Sequence, residues 1–280
     1  MAQSIAFNAG SFALENIPGP GTERLFVFKS PSTGVFSLFN NDILNRTVIN
    51  LGLLGDAGPT FRDLISFPAP RNGATTVQGL TANLQGGDDA LSIGGRTVSS
   101  SVNMGDGNDA FVTGNFVQSQ ATGGSGNDVF SFRTEFVGST LDAGLGNDTA
   151  YFGSVKSFFG QNPVIDMGAG DDVLVFGGAV SGESLLSRAS INLGAGSDQA
   201  TFLGNVSNTT LDLGGDNVQD TVRLTRGFGF WRGFQITGAD TSDRLIIGTS
   251  RPSPGTDVTY QYVSGNTWQN VNNPNDRINF

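Results

Sequence analysis

The sequence predicts an all-β protein, a parallel solenoid of the β-helix or β-roll type with β-rich caps at both ends. Three observations lead to this fold class. A turn motif ending in Asp recurs every 19 to 26 residues through the middle of the chain. Each motif is followed by a short run of alternating apolar residues, and no stretch carries a convincing helical period. Repeats of about 20 residues with short strands are typical of solenoid coils.

The motif copies superpose on one Asp each. Six copies align without gaps, a seventh carries two extra residues, and an eighth keeps the frame but loses its glycines. An earlier degenerate copy is indicated because residues 49–52 match 191–194 and residues 63–67 match 128–132. The aligned aspartates are Asp89, Asp109, Asp128, Asp148, Asp172, Asp198, Asp220 and Asp243.

The residues after each Asp predict a strand. Residues 172–176 read Asp-Val-Leu-Val-Phe, and alternating β-branched and aromatic residues favour a pleated, half-buried surface. A glycine then indicates a turn, a second short strand follows, and a third precedes the next Asp. Coils stacked about 4.8 Å apart would align their apolar side chains into one core. The predicted core column four residues after the Asp is Ile93, Phe132, Phe152, Phe176, Phe202 and Leu224.

The repeats divide the chain into three parts. We expect the solenoid to span residues 47–250, with the best repeats at 80–225. The Phe-rich residues 1–46 predict an N-terminal β cap or a docking segment for another copy, because the end coil of a solenoid exposes strand edges. Residues 251–280 predict a C-terminal cap.

Composition narrows the functional class. The net charge of −10 opposes nucleic-acid binding, because phosphate contacts need an excess of Lys and Arg. The lack of Cys and His excludes disulfides, zinc–thiolate sites and histidine-based catalysis. No apolar run approaches the about 20 residues of a membrane-spanning helix, and the first residues carry no recognisable cleaved signal. Only four of the 25 acidic residues are Glu, and a bias to Asp is typical of turns and hard-cation ligands.

The turn motif has the chemistry of a calcium site. Its pattern is Gly-x-Gly-(Asn/Asp)-Asp, in which glycines allow carbonyl oxygens to point inward and the last Asp adds a charged oxygen. Ca²⁺ takes six to eight such oxygens. Aspartates stacked about 5 Å apart would repel by roughly 3 kcal/mol per pair at a dielectric constant of about 20, so a bridging cation would hold the turns closed. The candidate ligands are the aspartates from Asp89 to Asp220 and the turn glycines Gly87, Gly107, Gly126, Gly146, Gly170 and Gly196.

A second polar column lies six residues before the Asp in the regular copies. Its members could complete the ion shell, or they could form a ladder of Asn and Asp side-chain hydrogen bonds. A metal-free β-helix held by such ladders is the alternative to the calcium site. The column comprises Asn83, Asn103, Thr122, Asp142, Asp166 and Asn192, and Asp212 takes the same place in the seventh copy, which carries two extra residues.

Residues 123–131 read Gly-Gly-Ser-Gly-Asn-Asp-Val-Phe-Ser and resemble the nonapeptide of the RTX, or haemolysin-type calcium-binding, family. The resemblance covers about residues 80–225. It implies a right-handed β-roll, several Ca²⁺ ions in the turns, and type I secretion through an uncleaved C-terminal signal. The ligands that it implies are Asp89, Asp109, Asp128, Asp148, Asp172 and Asp198.

The chain departs from the family pattern in two ways. It has one motif per coil where the family has motifs in tandem, so we expect a single column of ions. The first glycine of the family motif is replaced by apolar residues in most coils, and these are expected to be core residues. They are Leu84, Met104, Ala143, Met167 and Leu193.

These observations predict a secreted structural protein that folds on binding Ca²⁺ and self-associates as a homo-oligomer or open homopolymer, such as a filament, matrix or surface layer. No enzymatic activity is expected. One alternative is a β-helical polysaccharide lyase or hydrolase, although the basic residues are scattered. The other alternative is a carbohydrate-binding adhesion module with cell-surface polysaccharide as its partner.

Overall fold

In the computed structural model the chain is an all-β solenoid of about eight coils, as the sequence predicts. The structure describes residues 3–6, 26–29, 36–39, 44–45, 47–50, 64–67, 76–84, 86–177, 186–225, 231–248 and 257–280. Every regular element in these ranges is a strand. Within the same ranges, no helix is long and apolar enough to cross a membrane.

The strands before the best repeats are β1 (Gln3–Ala6), β2 (Phe26–Lys29), β3 (Phe36–Phe39), β4 (Leu44–Asn45), β5 (Thr47–Asn50), β6 (Leu64–Phe67) and β7 (Thr76–Gln78). The next are β8 (Thr81–Asn83), β9 (Ala90–Val98), β10 (Ser101–Asp106), β11 (Ala110–Val117), β12 (Gln120–Ser125), β13 (Val129–Val137), β14 (Thr140–Leu145), β15 (Thr149–Lys156), β16 (Val164–Asp166) and β17 (Val173–Phe176). The later coils hold β18 (Leu186–Ser187), β19 (Ser190–Asn192), β20 (Gln199–Phe202), β21 (Val206–Ser207), β22 (Thr210–Asp212), β23 (Thr221–Thr225), β24 (Trp231–Arg232), β25 (Gln235–Thr237) and β26 (Arg244–Gly248). The chain ends with β27 (Val258–Ser264), β28 (Thr267–Asn270) and β29 (Asn273–Asn279).

One wall of the solenoid is a ten-stranded parallel sheet in the order β1-β5-β8-β10-β12-β14-β16-β19-β22-β25. This first wall contains the strand that precedes each Asp. It confirms the degenerate early copy, because Ile49 pairs in register with Ala82 in the next coil. Strand β1 pairs in parallel with β5, so part of the segment predicted as a cap, residues 1–46, belongs to the first wall. Strands β2 and β3 in the same segment form an antiparallel pair.

The second wall contains the strands that follow each Asp, and it corrects one prediction. A glycine turn was expected between two short strands. In the later coils the first strand does end before the glycine, as β17 and β20 show, but β9, β11, β13 and β15 continue through it. The pairing of β11 with β9 and β13 shifts register between Thr113 and Asn115, which is the signature of a bulge. A Cβ on Gly114 would lie 2.5 Å from the carbonyl oxygen of Gly95. Glycine therefore bends the wall here without ending the strand.

The core is built from columns of identical residue types. Phe132, Phe152, Phe176 and Phe202 are buried and stack with ring centroids 5.0–5.1 Å apart and interplanar angles of 11–22°. Their strands are paired in register at these residues. Each ring thus fills the space between its neighbours, and this confirms the predicted column.

Replacing Phe176 with alanine is expected to lower the free energy of unfolding by about 3–5 kcal/mol, because the cavity would interrupt the ring stack. The control is Val175→Ala, since Val175 is the outward-facing neighbour on the same strand and is only half-buried. Urea denaturation followed by circular dichroism measures both. Equal losses in the two variants would contradict the packing.

The C-terminal residues close the solenoid. Strand β26 pairs with β27 in antiparallel orientation, and β27, β28 and β29 continue as an antiparallel meander. Trp268 is fully buried, and the ring centroid of Phe280 lies 5.6 Å from that of Phe234. This segment therefore has the form of the predicted C-terminal cap from residue 257 onward; its expected first residues, 251–256, lie outside the described ranges.

Candidate functional site

The motif aspartates form a buried column. The eight residues from Asp89 to Asp243 are each 1–2 % exposed. Asp109 lies between the end of β10 and the start of β11, two residues before the buried Phe111, so it takes an inward position in the alternation of the strand. The column therefore runs inside the wall of the solenoid.

In the seven aspartates from Asp109 to Asp243, one carboxylate oxygen accepts a hydrogen bond from the neighbouring coil. The backbone N–H of Asp89 donates to Oδ1 of Asp109 at 2.7 Å, and the same bond recurs along the column at 2.7–2.9 Å, ending with Asp220 N–H to Asp243 Oδ1. Each bond satisfies a buried N–H that has no strand partner. The aspartates thus join successive coils at the turn.

The other carboxylate oxygen is buried and lacks a hydrogen-bond donor in five successive coils. This holds among the described residues for Oδ2 of Asp109, Asp128, Asp148, Asp172 and Asp198. A buried, unsatisfied charged oxygen is costly unless it is protonated or bound to a cation. Each of these five oxygens therefore needs a proton or a bound cation.

The electrostatics reflect this cost. Burial raises the pKa of Asp172 to about 8, against the lowering effect of the backbone N–H of Asp148, and the neighbouring carboxylates raise it further. Burial likewise raises the pKa of Asp109 to about 7 and the pKa values of Asp128, Asp148 and Asp198 to about 6. The column near pH 7 consequently needs protons or a counter-ion.

The last turns satisfy their carboxylates differently. Asp243 accepts the N–H of Asp220 on Oδ1 and the N–H of Asp240 on Oδ2 at 2.7 Å. Asp240 itself accepts hydrogen bonds from Ser242 and from the N–H of Asn217, which lower its pKa. The oxygens without donors thus lie in the regular coils, and the eighth turn, whose motif lacks the glycines, uses backbone donors instead.

Two columns of glycines line the turn. The predicted column includes Gly107 and Gly126, with φ of +141° and +123°. A Cβ on Gly126 would lie 1.9 Å from the carbonyl oxygen of Gly107, so no side chain fits. The second column was not among the predicted site residues, but it is restricted in the same way. It comprises Gly105, Gly124, Gly144, Gly168, Gly194 and Gly214.

Carboxylate and carbonyl oxygens converge beside Gly123, the residue at the first position of the family nonapeptide. The point that a Cβ would occupy there lies 2.3 Å from Asp128 Oδ2 and 2.1 Å from the carbonyl oxygen of Ala143. In other coils this position carries buried apolar residues such as Met104 and Leu193, as expected. The two oxygens show that a carboxylate and a backbone carbonyl can face one small space.

The donor set fits an oxygen-binding cation only with backbone participation. No group of three or more Asp or Glu side chains within the described residues converges as a metal site. Each coil contributes one buried carboxylate, so most of the six to eight ligands of Ca²⁺ would have to be carbonyl oxygens.

The second polar column lies on the other side of the wall. Asn103 is exposed between the buried Val102 and Met104, whereas Asp109 is buried, so the two columns do not converge. Asn103 Nδ2 donates to Asn83 Oδ1 at 3.2 Å, and Thr122 Oγ1 donates to Asn103 Oδ1 at 3.0 Å. The same contact joins Asn192 Nδ2 to Asp166 Oδ1 at 3.0 Å. These contacts match the ladder, the second of the two predicted roles.

An exposed ladder beside the buried column was not predicted. The N–H of Asn108 donates to Asp88 Oδ1 at 2.8 Å, and the N–H of Asn127 donates to Asn108 Oδ1 at 2.9 Å. The series continues through Asn147, Asp171 and Ser197. Its bonds run toward the N-terminal neighbour, opposite to those of the buried aspartates. The recurring Asn or Asp before the motif Asp was the signal in the sequence.

A buried hydroxyl ladder at the opposite turn was also missed. Ser119 Oγ accepts the N–H of Ser100 at 3.0 Å and donates to the carbonyl of Val117 at 2.8 Å. Ser139 repeats both bonds in the next coil. The signal was a Ser nine residues before the motif Asp in three successive coils.

Replacing Ser119 with alanine is expected to cost about 1–3 kcal/mol of unfolding free energy, because the buried N–H of Ser100 loses its acceptor. The exposed Ser101 provides the control, and Ser101→Ala is expected to change stability by less than about 0.5 kcal/mol. Thermal unfolding of both variants measures the difference. If Ser119→Ala leaves the unfolding free energy unchanged, the hydroxyl ladder does not stabilise the protein.

Comparison of the chain with protein-family models, with curated proteins and with solved structures finds no match.

Proposed function

We propose that the protein is an extracellular, calcium-binding structural protein whose solenoid is completed by a column of Ca²⁺ ions. One observation carries the proposal. Five successive buried aspartates, from Asp109 to Asp198, each retain a carboxylate oxygen that no described hydrogen-bond donor reaches. A cation between coils would supply the missing partner of two neighbouring carboxylates at once.

Calcium suits these turns better than other cations. The available ligands are carboxylate and carbonyl oxygens, which hard cations prefer, and the flexible geometry of Ca²⁺ tolerates backbone ligands better than the strict octahedron of Mg²⁺. The residues that would hold the ions are the five aspartates, together with carbonyls of the turn glycines, including Gly107 and Gly126.

The energetics support folding that depends on calcium concentration. Extracellular calcium modules have dissociation constants of about 10⁻⁴–10⁻³ M. At ten times the dissociation constant each site adds about 1.4 kcal/mol, so four sites between five coils would add about 6 kcal/mol. This amount is comparable with the stability of an ordinary domain. Export into a calcium-rich medium would then coincide with folding.

A structural role with self-association completes the proposal. The described coils form one continuous stack of parallel strands. The runner-up is a metal-free solenoid in which the column is protonated. It is favoured by the Oδ1 hydrogen bonds and the exposed ladder, which join the coils with protein groups alone.

Asp172→Asn separates the two readings. The amide oxygen can still accept the N–H of Asp148, but the charge is lost. If Ca²⁺ binds, the variant is expected to bind at least one ion fewer in isothermal titration calorimetry and to lose about 1.4 kcal/mol or more of calcium-dependent stabilisation. In chelator near neutral pH it is expected to be at least as stable as the unchanged protein, because a buried charge has been removed.

The matched control is Asp171→Asn, one residue earlier. Asp171 is exposed, its Oδ1 accepts the N–H of Ser197, and Asn147 is the corresponding residue of the preceding coil. This variant is expected to keep the full calcium response. If calcium does not change the stability of the unchanged protein, the ion column is excluded, and the metal-free solenoid with protonated aspartates remains.

A further inference from the structure

A short hairpin is inserted in one of the turns that lead from the second wall back to the first wall. Residues 138–139 join β13 to β14, whereas residues 157–163 join β15 to β16. Within the longer connection, Phe158 and Gln161 exchange two backbone hydrogen bonds at 2.9 and 2.8 Å. The residues between them, Phe159 and Gly160, have φ of +43° and +84°. Positive φ at both central residues is typical of a type I′ turn, so Phe159 lies at the tip of a regular hairpin.

Phe159 gains little from folding. Its side chain is 94 % exposed, and its ring meets that of Phe158 edge-on with centroids 4.6 Å apart. A positive φ is strained for a bulky side chain, and Asn is the common residue at this position of a type I′ turn. A large apolar side chain that is both strained and exposed indicates a contact with another molecule.

The preceding coils support the hairpin. Gly138 lies in the turn of the coil before it, and a Cβ there would be 3.1 Å from the Cβ of Phe158 and 3.3 Å from the Cβ of Gln161. Glycine at this residue therefore leaves room for the hairpin. One coil further back, Nε2 of Gln118 donates a hydrogen bond to Oε1 of Gln161 at 3.2 Å. The solenoid thus provides a base of two coils from which the Phe159 ring projects.

An uncharged row of side chains runs beside the hairpin. Its members are the first, outward-facing residues of successive strands in the first wall, and they pair in register. Gln120 and Thr140 follow Gln118 and Gly138 by two residues, so the row adjoins the hairpin. Apart from Val164, the members carry hydroxyl or amide groups, which both donate and accept hydrogen bonds. We call this row the neutral row. It consists of Ser101, Gln120, Thr140, Val164, Ser190 and Thr210.

We propose that the hairpin and the neutral row bind an extended, uncharged polysaccharide. The apolar face of a sugar ring packs on Phe159, because its C–H groups carry partial positive charge and the face of an aromatic ring is negative. The amides of Gln120 and Gln161 and the hydroxyl of Thr140 exchange hydrogen bonds with the sugar hydroxyls. This binding function goes beyond the proposed structural role and requires only the folded solenoid.

The surrounding charges favour a neutral ligand. Asp142 and Asp166 pair in register in the next outward row of the first wall, and the chain has a net charge of −10. Both repel an acidic polysaccharide or an anionic membrane. At the base of the hairpin, Lys156 is paired with Glu135 at 3.1 Å. The exposed Arg188 borders the neutral row, but one positive charge does not offset the acidic row beside it.

The shape of the site favours a polymer. The neutral row extends over six coils about 4.8 Å apart, so contacts with successive sugars act on one chain and strengthen one another. A neutral bilayer would receive only the ring at the tip of the hairpin. A single myristoyl chain, which is larger than that ring, gives only marginal membrane binding. The ligand class that uses both the ring and the row is therefore a polysaccharide chain.

Co-sedimentation of the folded full chain with insoluble cellulose, chitin and mannan tests the proposal, with carboxymethyl cellulose as the acidic counterpart. Phe159→Asn is expected to weaken binding to the neutral polymer about tenfold or more, because the packing surface is lost. The same variant is expected to raise the melting temperature by about 1–4 °C, because Asn suits the turn better than Phe. The matched control is Tyr151→Ala, which removes an aromatic side chain that is 46 % exposed on the second wall. It is expected to bind like the unchanged protein.

The outcomes decide between polysaccharide and other partners. Binding to at least one neutral polymer that is weakened in Phe159→Asn and kept in Tyr151→Ala supports the site. The site is overturned if the chain binds none of the neutral polymers, binds carboxymethyl cellulose more tightly, or responds equally to the two substitutions. A lower melting temperature of Phe159→Asn would assign Phe159 to folding. Binding to phosphatidylcholine vesicles through Phe159, without binding to the polymers, would make the partner a membrane. A chain that folds and binds polysaccharide in chelator contradicts the calcium proposal alone.

Discussion

Replacing Gly126 with alanine is expected to unfold the repeat region, with a loss of more than about 4 kcal/mol, which is exceptional for one substitution. A Cβ at this residue would lie 1.9 Å from the carbonyl oxygen of Gly107 and 2.5 Å from its carbonyl carbon. Both atoms belong to the backbone of the preceding coil, so no side-chain rotation relieves the overlap. The φ of +123° adds strain, because residues other than glycine rarely adopt it.

Gly160→Ala is the control that separates strain from overlap. Gly160 has a φ of +84°, but a Cβ there meets nothing within 4 Å. We expect it to cost about 1–3 kcal/mol, the value for backbone strain alone. Urea denaturation followed by circular dichroism compares the two variants. A Gly126→Ala protein as stable as Gly160→Ala would show that the turns are not stacked as closely as described.

The period of the repeat made the core predictable. The aspartate aligned in each copy sets the register of the strand that follows it. The sequence alone therefore predicts the Phe column from Phe132 to Phe202, whose strands pair in register. The same frame placed the early copy, in which Ile65 pairs with Leu91. Asp63, the residue aligned with the motif aspartates in that copy, lies outside the described residues.

The spacing of the repeats does not show whether a polar side chain points into the solenoid or toward solvent. Asn103 and Asp109 lie six residues apart, but the glycine turn between them reverses the inward face, so one is exposed and the other buried. Sequence spacing alone left open whether Asn103 completes the ion shell of Asp109 or belongs to a ladder formed by its own column. Likewise, a glycine between apolar runs indicates a turn or a bulge equally well, and here the ladder of hydrogen bonds across β9, β11 and β13 decides for the bulge.

In chelator, the free energy of unfolding is expected to fall as the pH rises from about 5 to about 8. Burial raises the pKa of Asp128 to about 6 and that of Asp172 to about 8, above the ordinary value of 3.8. In the unfolded chain these groups keep the ordinary pKa. Between the two values the folded chain holds protons that the unfolded chain has released, so stability is lost as the pH rises through the folded pKa.

The expected loss is large. A pKa difference of one corresponds to about 1.4 kcal/mol, so a single group raised by about two contributes about 3 kcal/mol. Five coupled carboxylates should lose at least that amount, which lowers the melting temperature by about 5–10 °C or more. The control is Asp172→Asn, which removes the carboxylate with the highest of these pKa values and should flatten the upper part of the profile.

In millimolar Ca²⁺ the slope is expected to reverse. A bound cation requires deprotonated carboxylates, so protons compete with it and the free energy of unfolding should rise from about pH 5 to about pH 8. A metal-free solenoid with protonated aspartates does not produce opposite slopes with calcium and with chelator. Without ions, it loses stability with rising pH under both conditions. Thermal unfolding at four or five pH values in each buffer therefore distinguishes an ion column from a column of protonated aspartates. Coincident profiles that both fall with pH would assign the buried aspartates to hydrogen bonding alone.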